Sequence, residues 1–188
     1  PNILLKDPQH ARLIKLRHPI ITNDDLQRQE ELKHNNFHSH IVQSTFDLPG
    51  PDDKPGQSLA RALARLENEA ALAVENGARI IVLSDKKAGK GKLPIPSLLA
   101  VAAVNRKLSE TGDIVNTGIL CETGEAREVS HVAMLLSLGA AAVNPWLAFE
   151  TIADLAIRQE LQHRISATSA IENYVSALCK GLLKIMSK

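Results

Sequence analysis

The sequence predicts an α/β fold of parallel βα units, enough for half of a βα-barrel or for a small open sheet. An irregular N-terminal segment precedes these units and a C-terminal helix follows them. Three observations carry the reading. From residue 40 onward, short β-branched or apolar segments alternate with longer amphipathic ones. The links are short, so successive strands run parallel with right-handed crossovers. Gly77 and Gly139 follow directly on helical stretches, where glycine ends a helix at little cost. No repeat of fixed period accompanies the alternation.

Each element has a local reason. Pro8 and Pro19 punctuate an irregular start. Thr22-Asn23-Asp24-Asp25 then opens a short helix, from about Asn23 to Lys33, that stops at Asn35-Asn36. Thr22 is its cap, and Asp24 and Asp25 suit the positive end of the helix dipole. His40 to Phe46 is β-branched and aromatic, a strand. Pro49 to Pro55 is a turn-rich loop. Gln57 to Asn76 is a long helix with Leu59, Leu63, Leu66, Ala70 and Val74 on one face. Arg79 to Leu83 is a strand apolar enough to be buried on both faces. Pro96 opens a helix through Leu108, at a position where its missing N–H costs nothing. Ile114 to Cys121 is a third strand, Glu125 to Leu138 a third long helix, and Ala140 to Val143 a short fourth strand. Pro145 starts a helix running to about His163. A last amphipathic helix, about Ser169 to Met186, carries Ile171, Val175, Leu178, Leu182 and Ile185. Three regions result: 1–40, 41–165 and 166–188.

Composition narrows the function. The chain has 188 residues, 22 Lys plus Arg and 21 Asp plus Glu, a formal charge of +1. That length suits one domain with an aliphatic core. The balance of charge argues against nucleic acid as a partner, and aromatics at 3% leave few rings to stack on bases. The two cysteines, Cys121 and Cys179, match no metal-ligand spacing and no disulfide framework. The longest apolar run, Leu98 to Val104, is far too short to span a bilayer. The start is no signal peptide, so the chain reads as cytoplasmic. It also lacks an initiator Met, as expected of a processed or excised piece.

In parallel α/β folds, function gathers at the carboxyl ends of the strands. Those ends read Thr45-Phe46-Asp47, Ser84-Asp85, Glu122-Thr123-Gly124-Glu125 and Asn144-Pro145. This polar set suits a ligand pocket. The same residue types at the same places also cap helices, and that reading takes precedence. Arg127 and Glu128 are positioned for ion pairs with neighbouring units. Cys121 and His131 invite a nucleophile–base reading, but a thiol ending an apolar strand packs as a small hydrophobe. His131 falls mid-helix with no orienting group. His34, His38 and His40 are spaced H-x3-H-x-H, and a loop of solvated histidines is the simpler account. Lys86 to Lys92 is basic and Gly-containing. Leu93-Pro94-Ile95-Pro96 follows it, so the phosphate-loop fingerprint fails and a solvated flexible loop remains. Trp146 is expected in the core.

Several segments together resemble one family. They are Ile81-Val82-Leu83-Ser84-Asp85, Leu93-Pro94-Ile95-Pro96-Ser97-Leu98-Leu99-Ala100-Val101 and Glu122-Thr123-Gly124-Glu125-Ala126-Arg127-Glu128-Val129. Next come Gly139-Ala140, Ala142-Val143-Asn144-Pro145-Trp146-Leu147-Ala148, Ile171-Glu172-Asn173-Tyr174 and the closing Lys180 to Lys188. With His18-Pro19-Ile20-Ile21-Thr22 at the opening, this order and spacing resembles the central domain of the glutamate synthase large (alpha) subunit. The resemblance covers essentially the whole chain.

It implies an incomplete, half TIM-like barrel inside an enzyme that converts glutamine and 2-oxoglutarate into two glutamates. The domain itself would be non-catalytic and hold no cofactor. It would link a glutaminase (amidotransferase) domain to a domain carrying FMN and an iron–sulfur cluster, and help form the ammonia tunnel between them. The helix over 166–188 would lead toward the FMN-binding domain. A small electron-transfer subunit or ferredoxin would serve the parent enzyme. Thr22 is the candidate for the tunnel side. Asp85, Glu122, Thr123, Glu125, Arg127, Asn144 and Pro145 are candidates for internal bracing or domain contacts. The chain departs from the family pattern at Asn105-Arg106, Ser130-His131 and Leu138, and Cys121 replaces an aliphatic residue. Pro1 stands where a glutaminase would need its N-terminal Cys. The alternative is a free-standing small-molecule enzyme, with Asp85 and Glu122 as an acid/base pair, or a binding module.

Overall fold

The computed structural model describes residues 14–31, 38–51, 53–54, 56–162 and 164–187. In chain order the elements are α1 (Asn23–Glu31), β1 (Ser39–Gln43), β2 (Thr45–Asp47), α2 (Gln57–Glu75), β3 (Ile80–Ser84), β4 (Lys92–Pro94) and α3 (Ser97–Thr111). A 3-10 turn at Asp113–Asn116 precedes β5 (Gly118–Glu122), α4 (Val129–Ser137), β6 (Ala142–Asn144), α5 (Trp146–Ile157) and α6 (Ala167–Met186).

The main sheet is all parallel, in the order β1-β3-β5-β6. Beyond β6 the chain's own N-terminal segment adds one more parallel bridge, Ile20 to Val143. Ile21 N donates to the Val143 carbonyl at 3.0 Å, and Val143 N to the Pro19 carbonyl at 2.8 Å. The strands form an open array of βα units, an α/β fold consistent with part of a TIM-like barrel.

The period of two along each strand sorts side chains onto two faces. Val42, Ile81, Leu83, Ile119, Cys121 and Val143 point to the helix side, into a core that takes residues from α2 through α6. Leu66, Val101, Leu108 and Phe149 are buried there, as the helical spacing of the apolar residues requires. Ile80, Val82, Leu120 and Ala142 point the other way. They meet Ile21 and Leu26, so α1 covers this inner face. Burying Leu26 contributes about 2 kcal/mol. β3 is buried along its whole length, as its apolar run predicts.

Several boundaries differ from the sequence reading, each for a local reason. The stretch His40 to Phe46 is two strands. Ser44 donates to the Ser84 carbonyl and accepts from Ile95 N, which ends the parallel ladder. Thr45–Asp47 then leaves the main sheet and pairs antiparallel with Lys92–Pro94. The Lys86 to Lys92 segment is accordingly held at its end, with a Gly89–Lys92 bridge. Within Ile114 to Cys121, the first residues belong to the 3-10 turn. Gly112, at φ 80°, ends α3 there and Thr111 Oγ1 donates to Asp113.

The helix expected from Glu125 begins instead at Val129. Glu128 and His131 form a reciprocal capping box that fixes the start. In the fourth strand, Ala142–Asn144 pairs where Ala140 to Val143 was expected. The helix after Pro145 ends at Ile157 rather than near His163, because Gln159 turns back with φ 59°. Ile185 is exposed rather than on the packed face of α6. Thr22 does cap α1: Asp25 N donates to its Oγ1 at 3.2 Å. The stop at Asn35-Asn36 lies outside the described residues.

Candidate functional site at the strand ends

Register sets the site. Gln43, Ser84, Glu122 and Asn144 are successive partners across all four parallel strands, one polar row on the inner face at the carboxyl ends. Ser84, Asp85, Glu122, Thr123 and Asn144 are all buried. Buried polar groups need partners, and nearly all of these find them inside the chain.

Asp85 is the hub. Its carboxylate accepts from Thr123 Oγ1 at 2.6 Å, from Gly124 N at 3.0 Å and from Trp146 Nε1 at 2.7 Å. It therefore ties the end of β3 to the loop after β5 and to the start of α5. Glu122 accepts a hydrogen bond from the Ser84 hydroxyl. Its other oxygen lies 3.8 Å from Lys86 Nζ, which also faces Glu150 at 3.8 Å and sits 5.6 Å over the Trp146 ring. Thr123 N donates to the Asn144 carbonyl, and Glu125 N to Thr123 Oγ1. Asn144 Nδ2 donates to the Ile21 carbonyl and to Asn23 Oδ1, both at 2.9 Å, and so holds the turn that carries Thr22. Asn144 Oδ1 and Gln43 Oε1 are buried without a partner among the described residues. Pro145, buried beside them, is the N-cap of α5.

The candidates thus fall into three groups. Asp85, Glu122, Thr123, Asn144 and Pro145 lie together at the strand ends. Thr22 is not bonded to them: Asn144 holds its neighbours Ile21 and Asn23, while the Thr22 hydroxyl donates to Asp25 Oδ2 at 2.7 Å. Glu125 points elsewhere: its carboxylate accepts from Ser97 N at 2.8 Å and Ser97 Oγ at 2.6 Å, capping α3. Arg127 is exposed. No ion pair of Arg127 or Glu128 occurs among the described residues, because Glu128 is used as the helix cap and only the Arg127 main chain is engaged. Its carbonyl accepts from Tyr174 on α6 at 2.9 Å, and its N–H donates to His131 Nδ1 at 3.2 Å.

Three sequence readings change here. Trp146 is half-buried at the strand ends, and Phe149 takes the core position. His131 sits in the first turn of α4 with its Nδ1 committed to the cap, not mid-helix. Thr45, Phe46 and Asp47 are not an end of the main sheet. Sequence reasoning also missed Ser97 and Lys86 as partners. The signal for Ser97 was its place at a helix start, directly after Pro96.

This arrangement braces the fold. Every oxygen of the Asp85 carboxylate is occupied, and Glu122 is held by a hydroxyl and a lysine, which leaves no free acid/base pair. Two buried carboxylates repel a phosphate, so these strand ends do not fit a phosphorylated cofactor such as FMN. Burial pushes the Cys121 thiol far up, with the charges of Asp85, Glu125 and Glu122 adding to it. The thiol packs as a small hydrophobe in the helix-side core. Among the described residues no group of three or more His, Cys, Asp or Glu converges on a metal position. His40 lies 3.9 Å from Glu69, and His34 is outside the described residues.

The whole sequence, residues 1–188, matches the family described as "Glutamate synthase central domain". The chain belongs to the glutamate synthase central domain family. It is 32% identical over 190 residues to the glutamate synthase [NADPH] large chain of Bacillus subtilis, covering 100% of this chain and 12% of that protein. It is 30% identical to the glutamate synthase [NADH] of Schizosaccharomyces pombe, covering all of this chain and 9% of that one. Ferredoxin-dependent glutamate synthase 2 of Synechocystis is 32% identical over 199 residues, again with 12% of its length covered. This central domain therefore spans about a tenth of the length of the curated relatives it matches. Among solved structures, a flavocytochrome b2 variant with pyruvate bound shares the fold at TM-score 0.53 and 17% identity, over 87% of this chain and 47% of that one. No helix among the described residues is long and apolar enough to cross a membrane.

Proposed function

We propose that the chain works as the non-catalytic central domain of a glutamate synthase, in the cytoplasm, within a polypeptide that also carries the amidotransferase and FMN-binding domains. It holds the two reaction centres in register and supplies part of the wall along which ammonia passes between them. FMN and the iron–sulfur cluster belong to the neighbouring domain. Electrons reach that domain from a small electron-transfer subunit or from ferredoxin.

One observation carries this reading: the family match is continuous over residues 1–188, yet it accounts for about a tenth of each relative. The geometry supports it. The strand-end carboxylates are consumed by internal partners, which suits a scaffold. Thr22 sits on a turn that Asn144 pins, at the end of the molecule where the polar row lies. Ammonia has a conjugate-acid pKa above neutral, so contact with bulk water protonates it and removes its nucleophilicity. A wall of small aliphatic side chains with few polar groups keeps it neutral.

The test uses the full polypeptide. Thr22→Phe, which narrows a passage on this side, is expected to leave glutamine hydrolysis intact while glutamate formed per glutamine hydrolysed falls below the unaltered value and free ammonia appears. Unchanged coupling removes Thr22 from the wall. Glutaminase turnover or bound flavin in the 188-residue chain alone would overturn the non-catalytic assignment.

A further inference from the structure

The two edges of the parallel sheet are treated differently. The β6 edge is closed by the chain's own Pro19–Ile21. The β1 edge has no strand paired to it among the described residues. In β1 the even residues face β3: the His38 carbonyl accepts from Arg79 and Ile80, and Ser44 N donates to Ser84. The odd residues, Ser39, Ile41 and Gln43, therefore turn their N–H and C=O groups outward. Only the Gln43 carbonyl is closed, by Arg65 Nη2 at 2.8 Å. Among the described residues no partner meets the rest, and Ile41 is 37% exposed. Two hollows flank this edge along α2. One, of about 340 Å³, is lined by His38, His40, Glu69 and Leu72. The other, of about 460 Å³, is lined by Gln43, Thr45, Arg61 and Arg65.

We infer that the β1 edge is a docking surface for one extended segment of the same long polypeptide, which adds a short strand beside Ser39, Ile41 and Gln43. A parallel-sheet strand with unpaired main-chain groups is a template for strand addition. Three residues form too small a ladder to hold two separate molecules, since stable interfaces bury roughly 1,200 Å² or more. A tethered segment acts at an effective concentration of about millimolar and needs no such area. About nine tenths of each relative lies outside this region. The inference rests on the reading of the chain as part of a glutamate synthase polypeptide.

The test is amide hydrogen exchange in the natural full-length protein. First, its intact mass is measured. A product of only 188 residues overturns the underlying reading, and this inference with it. In a long polypeptide, the Ile41 and Gln43 amides are expected to exchange at least about 100-fold more slowly than the exposed amides of Lys87 and Lys90. Ile41→Pro removes one outward donor and no bond to β3. It is expected to release Gln43 while Ile81, Val82 and Leu83 stay protected. Loop-like exchange at Ile41 and Gln43 in the unaltered protein overturns the inference alone. Protection that vanishes on dilution overturns it too, since it assigns the edge to a second copy.

Discussion

At the scale of single residues, Asp85 decides how the strand ends cohere. Asp85→Ala leaves the Thr123 hydroxyl, the Gly124 N–H and the Trp146 N–H without their acceptor in a buried site. A loss of about 3 kcal/mol is expected from urea unfolding followed by the fluorescence of Trp146, the single tryptophan. A change under about 0.5 kcal/mol would remove Asp85 from the role of hub. Cys121 tests the same region from below. Its thiol is expected to resist alkylation at pH 8 in the folded protein and to react freely in urea. Asp53 is one contributor at the acid end of the pH profile. Its hydrogen bonds from Arg61, Gly50 and Ser58 lower its pKa to about 2. That contribution is complete above pH ~4, the unfolded value, and is lost as pH falls through about 2. Stability curves of the parent and Asp53→Asn are thus expected to differ above pH ~4 and to converge as the pH approaches 2. Residue types at the strand ends were legible in the sequence, because loops after parallel strands must cap helices. Their partners were not. Glu125 reaches Ser97, 28 residues back, and Trp146 reaches Asp85 across 61, and such pairings exist only once the sheet has set the register.

At the scale of elements, α3 is capped from outside its own strand–helix unit. Pro96, its N-cap, provides no side-chain oxygen, so Glu125 serves from the next unit. Glu125→Ala is expected to cost about 1 kcal/mol, and Glu125→Gln less, since an amide oxygen still accepts. Helices α4 and α6 meet at Gly181. A β-carbon there would collide with the Val129 side chain. On helix propensity alone Gly181→Ala gains about 1 kcal/mol. The contact reverses the sign, and a loss of about 1–3 kcal/mol is expected, partly recovered in Gly181→Ala with Val129→Ala. Asn105 and Arg106 have work in the elements too. Asn105 lies against Gly139, and Arg106 joins α2 to α3 through Glu67 while pairing with Glu110 at the helix end. Helices were legible as faces, since burial follows their period. Their ends were less so: the expected helix from Glu125 ignored the competing use of that carboxylate, and the split at Ser44 depended on β4, a distant partner.

At the scale of the whole molecule, the sheet has a large outer core and a small inner one of Ile21, Leu26, Ile80, Val82, Leu120 and Ala142. Removing residues 1–31 uncovers Val82 and Leu120. Strong binding of a hydrophobic dye and loss of a sharp unfolding transition are the expected results. The order of the parallel units was legible from the alternation of strand and helix. The placement of α1 on the inner face was not, because nothing in its composition says which end of the sheet its strap will join. That strap has a temporal meaning. Ile21 finds Asn144, a partner 123 positions later. During synthesis the N-terminal segment emerges first, yet its sheet position does not exist until β6 has left the ribosome. High contact order makes this closure late and slow. Until then the inner face is open to chaperones and to neighbouring nascent chains, and the first part of the domain to be made must wait for β6 before it can take its place.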